Sequence, residues 1–158
     1  MDVFTVTAWL KANSFSDYGR IVSDLFGVKG FEVFLSDNGV IDLRVGNGQA
    51  KSDVNGGEVT ILTTREWYFI AITYDGTAGS GGNVVFYRAQ SGAPAFATQE
   101  RTFQQGPIAA NGVSFMIGNS TDTAGRPFDG LIDNVRIYRG LLTQGDLMNV
   151  MKAKDISN

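Results

Sequence analysis

The stretch "FDGLIDNVRIYRGLLTQGDL", Phe128–Leu147, sets two periodicities side by side. After a Phe-Asp-Gly turn, "GLIDNVRIY" is apolar enough to read as a buried strand, and glycines bound it at Gly130 and Gly140. Thr143 follows, with Asp146 three residues on, a variant of the capping box that opens a helix. Leu147, Val150 and Met151 then share one helical face. The strand should be plain core, yet it carries Asp133 beside Asn134. That pair is the first place to look for chemistry.

Outward from this stretch no other segment shows a helical period. "VFTVTAWL" (Val3–Leu10) alternates Thr5 and Thr7 with apolar neighbours, the period of a strand. "GRIVSDLF" (Gly19–Phe26), "EVTILTT" (Glu58–Thr64), "NVVFYRAQ" (Asn83–Gln90) and "VSFMIGN" (Val113–Asn119) are further strand candidates. "EWYFIAITYDG" (Glu66–Gly76) is almost wholly apolar and should be buried on both faces. The clearest hairpin is "GFEVFLSDNGVIDLRVGNG" (Gly30–Gly48). Strands Phe31–Ser36 and Val40–Val45 flank Asp37-Asn38-Gly39, and Asn-Gly takes the positive φ angles of a type I′ turn. Short strands at regular spacing predict an all-β, two-sheet antiparallel sandwich with a short C-terminal helix, in one domain of 158 residues.

Composition narrows function. Hydrophobic residues at 43% and aromatics at 11% suffice for one core, and 20 glycines suit many turns. A net charge of −3 argues against a nucleic-acid backbone or an anionic membrane as the main partner. The chain has no cysteine, hence no disulfide, thiol nucleophile or thiolate metal site. It also has no histidine, which removes Ser–His–Asp and Cys–His hydrolases and His-ligated metalloenzymes. No apolar run reaches the roughly 18 residues of a membrane span. No basic leader or cleavage site precedes Val3, so no signal peptide is read.

The Phe128–Leu147 stretch resembles the C-terminal signature of the laminin-G-like, concanavalin A-like jelly-roll family, roughly F-x-G-x-I-D-x-V-R-I-Y and then a short helix. "FTVTAWLKANSF" (Phe4–Phe15) is similar to that family's early tryptophan strand, and "EWYFIAITYDG" to its central one. The three motifs occur in family order and cover Phe4 to about Val150. The resemblance implies a jelly roll and a non-catalytic, lectin-like carbohydrate-binding accessory domain of a secreted or cell-surface bacterial protein. The alternative is a protein–protein or adhesion module, with a polysaccharide hydrolase or lyase last. The partner is then an oligosaccharide or polysaccharide, or a protein surface.

Two departures stand out. The family usually has strands before its first tryptophan strand, and "FYRAQSGAPA" (Phe86–Ala95) replaces its usual Tyr-[Val/Ile]-Asp-Gly. The chain therefore reads as a domain cut from a longer protein, with an open sheet edge. Val3–Leu10, flanked only by Asp2 and Lys11, is the run expected to pair with a second copy, which makes a homodimer an expectation.

In related jelly rolls the acid at the position of Asp133 often ligates a structural Ca²⁺, so the resemblance implies that role. The residues alone allow Asp133 to accept hydrogen bonds from nearby amides or to pair with Arg136. Candidate ligand-binding residues are Tyr18 and Arg20 around a glycine, Asp42 and Arg44 alternating with Ile41, Leu43 and Val45, and Arg88 among apolar neighbours. Asp122 and Arg126 join them from turn-rich segments. Each by itself also reads as ordinary solvated surface. Trp9 and Trp67 fall in core-strand motifs and read as packing rather than sugar platforms. "SDVNGG" (Ser52–Gly57) and "NSTDTAG" (Asn119–Gly125) are loop clusters of oxygen donors without the EF-hand pattern. Retaining hydrolases of this fold share E-x-D-x-x-E or E-x-D-x-E, and no such run occurs. Glu32 and Asp42, the nearest acids, read as a surface pattern on adjacent strands.

Overall fold

The structure, a computed structural model, describes residues 2–52, 62–78, 83–102, 106–110, 112–121 and 125–153. Among them run strands β1 (Val3–Ala12), β2 (Arg20–Ser23), β3 (Phe31–Ser36), β4 (Val40–Val45) and β5 (Gly48–Lys51). After these come β6 (Tyr68–Asp75), β7 (Val84–Gln90), β8 (Ala97–Arg101), β9 (Met116–Ile117) and β10 (Gly130–Tyr138), and the chain closes with helix α1 (Gln144–Lys152). One sheet has the order β10-β1-β6-β7-β8 and the other β5-β4-β3-β2-β9, with antiparallel pairing throughout. This is the two-sheet antiparallel sandwich that the strand pattern predicts, in the jelly-roll form that the family resemblance implies. No helix among the described residues is long and apolar enough to cross a membrane.

Alternation along β1 explains the layering. Phe4, Val6, Ala8 and Leu10 point between the sheets and join the main core with residues such as Val33, Leu35 and Phe86. Thr5, Thr7 and Trp9 point the other way, yet they are buried as well. The outer face of this sheet is roofed by α1: Leu147 and Met151 pack with Trp9, Phe69 and Phe96 in a second hydrophobic cluster. The capping box forms as expected, with Asp146 N–H donating to Thr143 Oγ1 at 3.2 Å and Thr143 N–H donating to Asp146 Oδ2 at 2.9 Å. Trp9 is thus a packing residue and lies under the helix.

The question posed by Asp133 and Asn134 is answered in the β1–β10 ladder. Thr7 pairs with Arg136 but Trp9 pairs with Asp133, so β10 carries one extra residue between them. That β-bulge is centred on Asn134, whose φ is 51°, a left-handed conformation that asparagine tolerates well. Asp133 Oδ1 accepts the Asn134 N–H at 2.7 Å. The phase shift decides which residues enter the core. Ile132, opposite Leu10, and Ile137, opposite Val6, both face inward, and Ile132 and Val135 pack on the main cluster. An unbroken period of two from Ile132 would have turned Asn134 and Arg136 inward. Just upstream, Asp129 accepts from Asn13 Nδ2 at 3.0 Å and Ser14 Oγ at 2.6 Å. Gly130, with φ 150°, lies where a Cβ would collide with the Lys11 carbonyl, so only glycine lets β10 approach β1 here.

Three sequence expectations are corrected. Val3–Leu10 is not an edge: β1 is paired on both sides, by β10 and β6. Among the described residues the outermost strands of the two sheets are β10, β8, β5 and β9. The "VSFMIGN" run contributes only Met116–Ile117, while β5 and β8 form from polar runs whose strand character the alternation did not reveal. Of "EVTILTT", residues 58–61 lie outside the described residues, and Leu62–Thr64 form no strand.

Candidate functional site

Helix α1 packs on the outer face of one sheet, and a buried polar layer of Arg20, Ser23, Glu32, Ser36 and Asp42 lies on the outer face of the other. Its content follows from the β3–β4 hairpin. Ser36 pairs with Val40, Phe34 with Asp42 and Glu32 with Arg44, while Val33, Leu35, Ile41 and Leu43 fill the core. Cross-strand partners share a face. The outer face therefore carries a row Ser23–Glu32–Arg44–Gln49 and a row Arg20–Phe34–Asp42–Lys51. The first contains an acid between hydroxyl and cation, and the second an aromatic ring between two charged groups.

Arg20 organises this surface. Its Nε and Nη2 donate to the two oxygens of Glu32 at 3.1 and 2.8 Å, and its guanidinium lies 4.3 Å from the centroid of the Phe34 ring. The remaining Nη1 donates to the Tyr18 carbonyl at 2.5 Å. Arg44 stands 3.7 Å from the same Glu32. Arg20 and Glu32 are buried, so this pair was assembled against a desolvation cost, and removing Glu32 leaves the Arg20 charge buried without its carboxylate.

The Tyr18 contact matters because of the backbone it holds. Asp17 and Tyr18 have φ of 63° and 55°, two consecutive non-glycine residues in the left-handed region. Each such residue costs on the order of 1–3 kcal/mol and persists only where its surroundings enforce it. Here the turn presents Tyr18 outward, 41% exposed, edge-on to Phe34 at 6.3 Å, with the Arg126 guanidinium 5.7 Å from its ring. Beside it opens a pocket of about 210 Å³ lined by Tyr18, Ser36, Asp37, Val40 and Lys51. That is below the roughly 300–1,000 Å³ of drug-sized sites. It offers an aromatic wall, a hydroxyl, a carboxylate and an ammonium.

Asp42, at 0% exposure, pairs across the sheet with Lys51 of this pocket. Burial pushes its carboxyl above the usual carboxylate range, against the pull of Ser36, Gln49, Lys51 and Arg20. Gln49 Nε2 donates to its Oδ1 at 2.7 Å.

Four of the candidates named from the sequence are thus brought together with Arg126: Tyr18, Arg20, Asp42 and Arg44. Two of them change role. Arg20 and Asp42 are buried, at 3% and 0% exposure, so they support the surface and do not form it. Arg88 is removed from the site: it sits on β7 of the other sheet, opposite Ile70, its guanidinium 5.4 Å from the Tyr68 ring. Asp122 lies outside the described residues. Glu32 is corrected from surface acid to buried ion-pair partner. Phe34, Ser36, Asp37 and Lys51 were missed, although counting back from the hairpin turn would have put Phe34 and Ser36 on the face of Asp42 and Arg44.

Among the described residues no group of three or more Asp, Glu, His or Cys could share an ion, and Oδ1 of Asp133 is engaged by the Asn134 amide. A larger cavity, about 620 Å³, opens at the sandwich end where β1 and β3 begin, lined by Val3, Asp24, Phe31, Ile108 and Arg139 among others. Among its described lining residues the one aromatic, Phe31, is buried, and the half-exposed Phe115 ring stands 6.1 Å from it.

A sequence profile described as the concanavalin A-like lectin/glucanases superfamily, within it a laminin G domain, matches residues 2–148. The chain belongs to this superfamily. No curated protein matches it in sequence. Solved structures of concanavalin A-like proteins share its fold at low identity. The carbohydrate-binding module CBM40 of the Ruminococcus gnavus IT-sialidase, bound to α2,3-sialyllactose, superposes with a TM-score of 0.65 at 15% identity, covering 95% of this chain and 82% of that one. Domain 4 of AbnA, an extracellular arabinanase from Geobacillus stearothermophilus in complex with arabinotriose, gives 0.59 at 20% identity, covering 94% and 66%. The heptameric SAP-like pentraxin of Limulus polyphemus gives 0.59 at 17%, covering 98% and 72%. Within this superfamily the fold accommodates both lectin-like modules and glucanases, and its neighbours include carbohydrate-binding ones.

Proposed function

We propose that the chain is a non-catalytic carbohydrate-binding domain, working outside the cell as part of a larger secreted or surface protein, and that it binds sugar at the Tyr18 face. The observation that carries this reading is Tyr18 itself. An exposed aromatic is held in a strained backbone conformation by a buried Arg20–Glu32 pair, at the mouth of a pocket about the size of one sugar ring. Strain retained beside a pocket is the mark of a site kept for contact. The apolar face of a pyranose would lie on the Tyr18 ring. Its hydroxyls would meet Asp37, Ser36 and Lys51, with Arg44 and Arg126 at the rim. Two bound relatives, to sialyllactose and arabinotriose, support the ligand class. The non-catalytic reading rests on the acids: Glu32 is spent on Arg20, and Asp42 is fully buried.

A glycan array followed by titration calorimetry tests this. Tyr18→Ala should weaken any array hit about tenfold, in line with the roughly 0.5–1.5 kcal/mol of a ring contact beyond its area, while circular dichroism stays unchanged. An array with no hits would sink the proposal. A protein partner is the second reading, and the tip of the β2–β3 hairpin favours it: Phe26 and Val28 are exposed there, and Phe26 and Lys29 exchange backbone hydrogen bonds at 2.9 and 3.1 Å. A silent array together with a pull-down lost on Phe26→Ser would select that reading.

A further inference from the structure

We infer that the free edge of β10 pairs with β10 of a second copy of this chain. β10 closes its sheet, with β1 on one side and no strand among the described residues on the other. Its neighbour β1 is buried from Phe4 to Leu10, whereas no residue of β10 is fully buried, and Leu131 and Ile137 are 58% and 38% exposed. Such an edge holds out N–H and C=O groups that seek a strand.

The order of side chains selects the occupant. The octet Leu131–Tyr138 is self-complementary about the bond between Asn134 and Val135. In antiparallel pairing about that point, Asp133 meets Arg136 of the second copy, Ile132 meets Ile137, and Leu131 meets Tyr138, each pair occurring twice. Opposite charges and apolar groups placed directly across a ladder stabilise it. The faces agree too. Pairing with β1 puts Leu131, Asp133, Arg136 and Tyr138 on one face and Ile132 and Ile137 on the other, so each of these three pairs meets on one side, and only Asn134 and Val135, at the axis, do not match. A bulge ordinarily turns an edge away from new strands. This one falls on the two-fold axis. Both copies carry the same inserted residue there, so the halves flanking it stay in register. The contact joins the two five-stranded sheets across the axis. As a single strand pair it is small beside the ~1,200–2,000 Å² of stable interfaces, and association is therefore weak and reversible.

Sedimentation velocity of the whole chain, over a series reaching its highest soluble concentration, provides the test. The wild type should shift reversibly from monomer to dimer. Arg136→Asp sets acid against Asp133 and should abolish the dimer with the melting temperature retained, and the double exchange Asp133→Arg/Arg136→Asp should restore it. Because Asp133 also holds the bulge, Leu131→Lys serves as an independent probe that leaves the bulge alone and should likewise give monomer. A wild type that stays monomeric at every concentration would assign the edge to a strand of some other protein and overturn the inference. So would a dimer indifferent to both Arg136→Asp and Leu131→Lys.

Discussion

Tyr18 shows how one residue can be held at a cost to the fold. Its left-handed φ of 55° suits glycine far better than tyrosine. Tyr18→Gly should therefore unfold no more readily than wild type in urea, since relief of strain offsets the lost contact with Phe34, and yet it should lose saccharide binding. A variant that keeps binding would show that the ring is not the platform. Asp42 makes the complementary case. Its folded-state pKa is raised by burial, so the folded protein holds its proton at a pH where the unfolded chain has released it. Stability from this group is then present at low pH and falls as pH rises from the ordinary carboxylate value through the raised one. Asp42→Asn keeps an oxygen for Gln49 and cannot ionise. At neutral pH it should melt at or above wild type, and the gap should close as pH falls through that window. A gap that widens instead would mean that Asp42 is charged and well compensated in the folded state.

At the scale of elements, the β3–β4 hairpin and the β10 bulge carry the architecture. The strands Phe31–Ser36 and Val40–Val45 form as expected, but the turn has three residues, Asp37 to Gly39, with Asn38 and Gly39 both at positive φ. A Cβ on Gly39 would strike the Leu62 carbonyl and come within 2.8 Å of the Phe15 ring. Gly39→Val should thus cost roughly 3 kcal/mol by denaturant unfolding. A cost below about 1 kcal/mol would show that the turn can re-form without the glycine. Asp133→Ala should cost about 1.5 kcal/mol, the worth of a hydrogen bond to a charged group, and a chelator should shift the melting temperature of neither protein. A chelator effect lost in Asp133→Ala would instead establish the calcium role that the family resemblance implies. The helix and the apolar strands were legible because capping and alternation are local, whereas the polar β5 and β8 were not. The bulge was not, because a period-two reading has no place for an extra residue, although Asp-Asn inside a strand was the visible trace of it. The site was half legible: Tyr18, Arg20, Asp42 and Arg44 could be picked out as polar residues among apolar ones. The burial of Arg20 and Asp42 could not, because it depends on tertiary packing over the outer face, which the alternation along β2 and β4 does not report.

For the molecule as a whole, the roof that α1 forms over Trp9, Phe69 and Phe96 has a practical consequence. It makes the domain one-sided, like a coin with one face glued down. Whatever is attached to the helix side should leave recognition undisturbed, and whatever is attached to the Tyr18 side should block it. The sequence contains no cysteine, so a single introduced thiol is a unique handle. Lys152 is exposed at the end of α1, and Lys51 is exposed at the rim of the small pocket. Coupled to a sensor chip through Lys152→Cys, the protein should capture saccharide at full capacity; coupled through Lys51→Cys, it should capture little. Equal capacity in the two orientations would place recognition elsewhere on the sandwich.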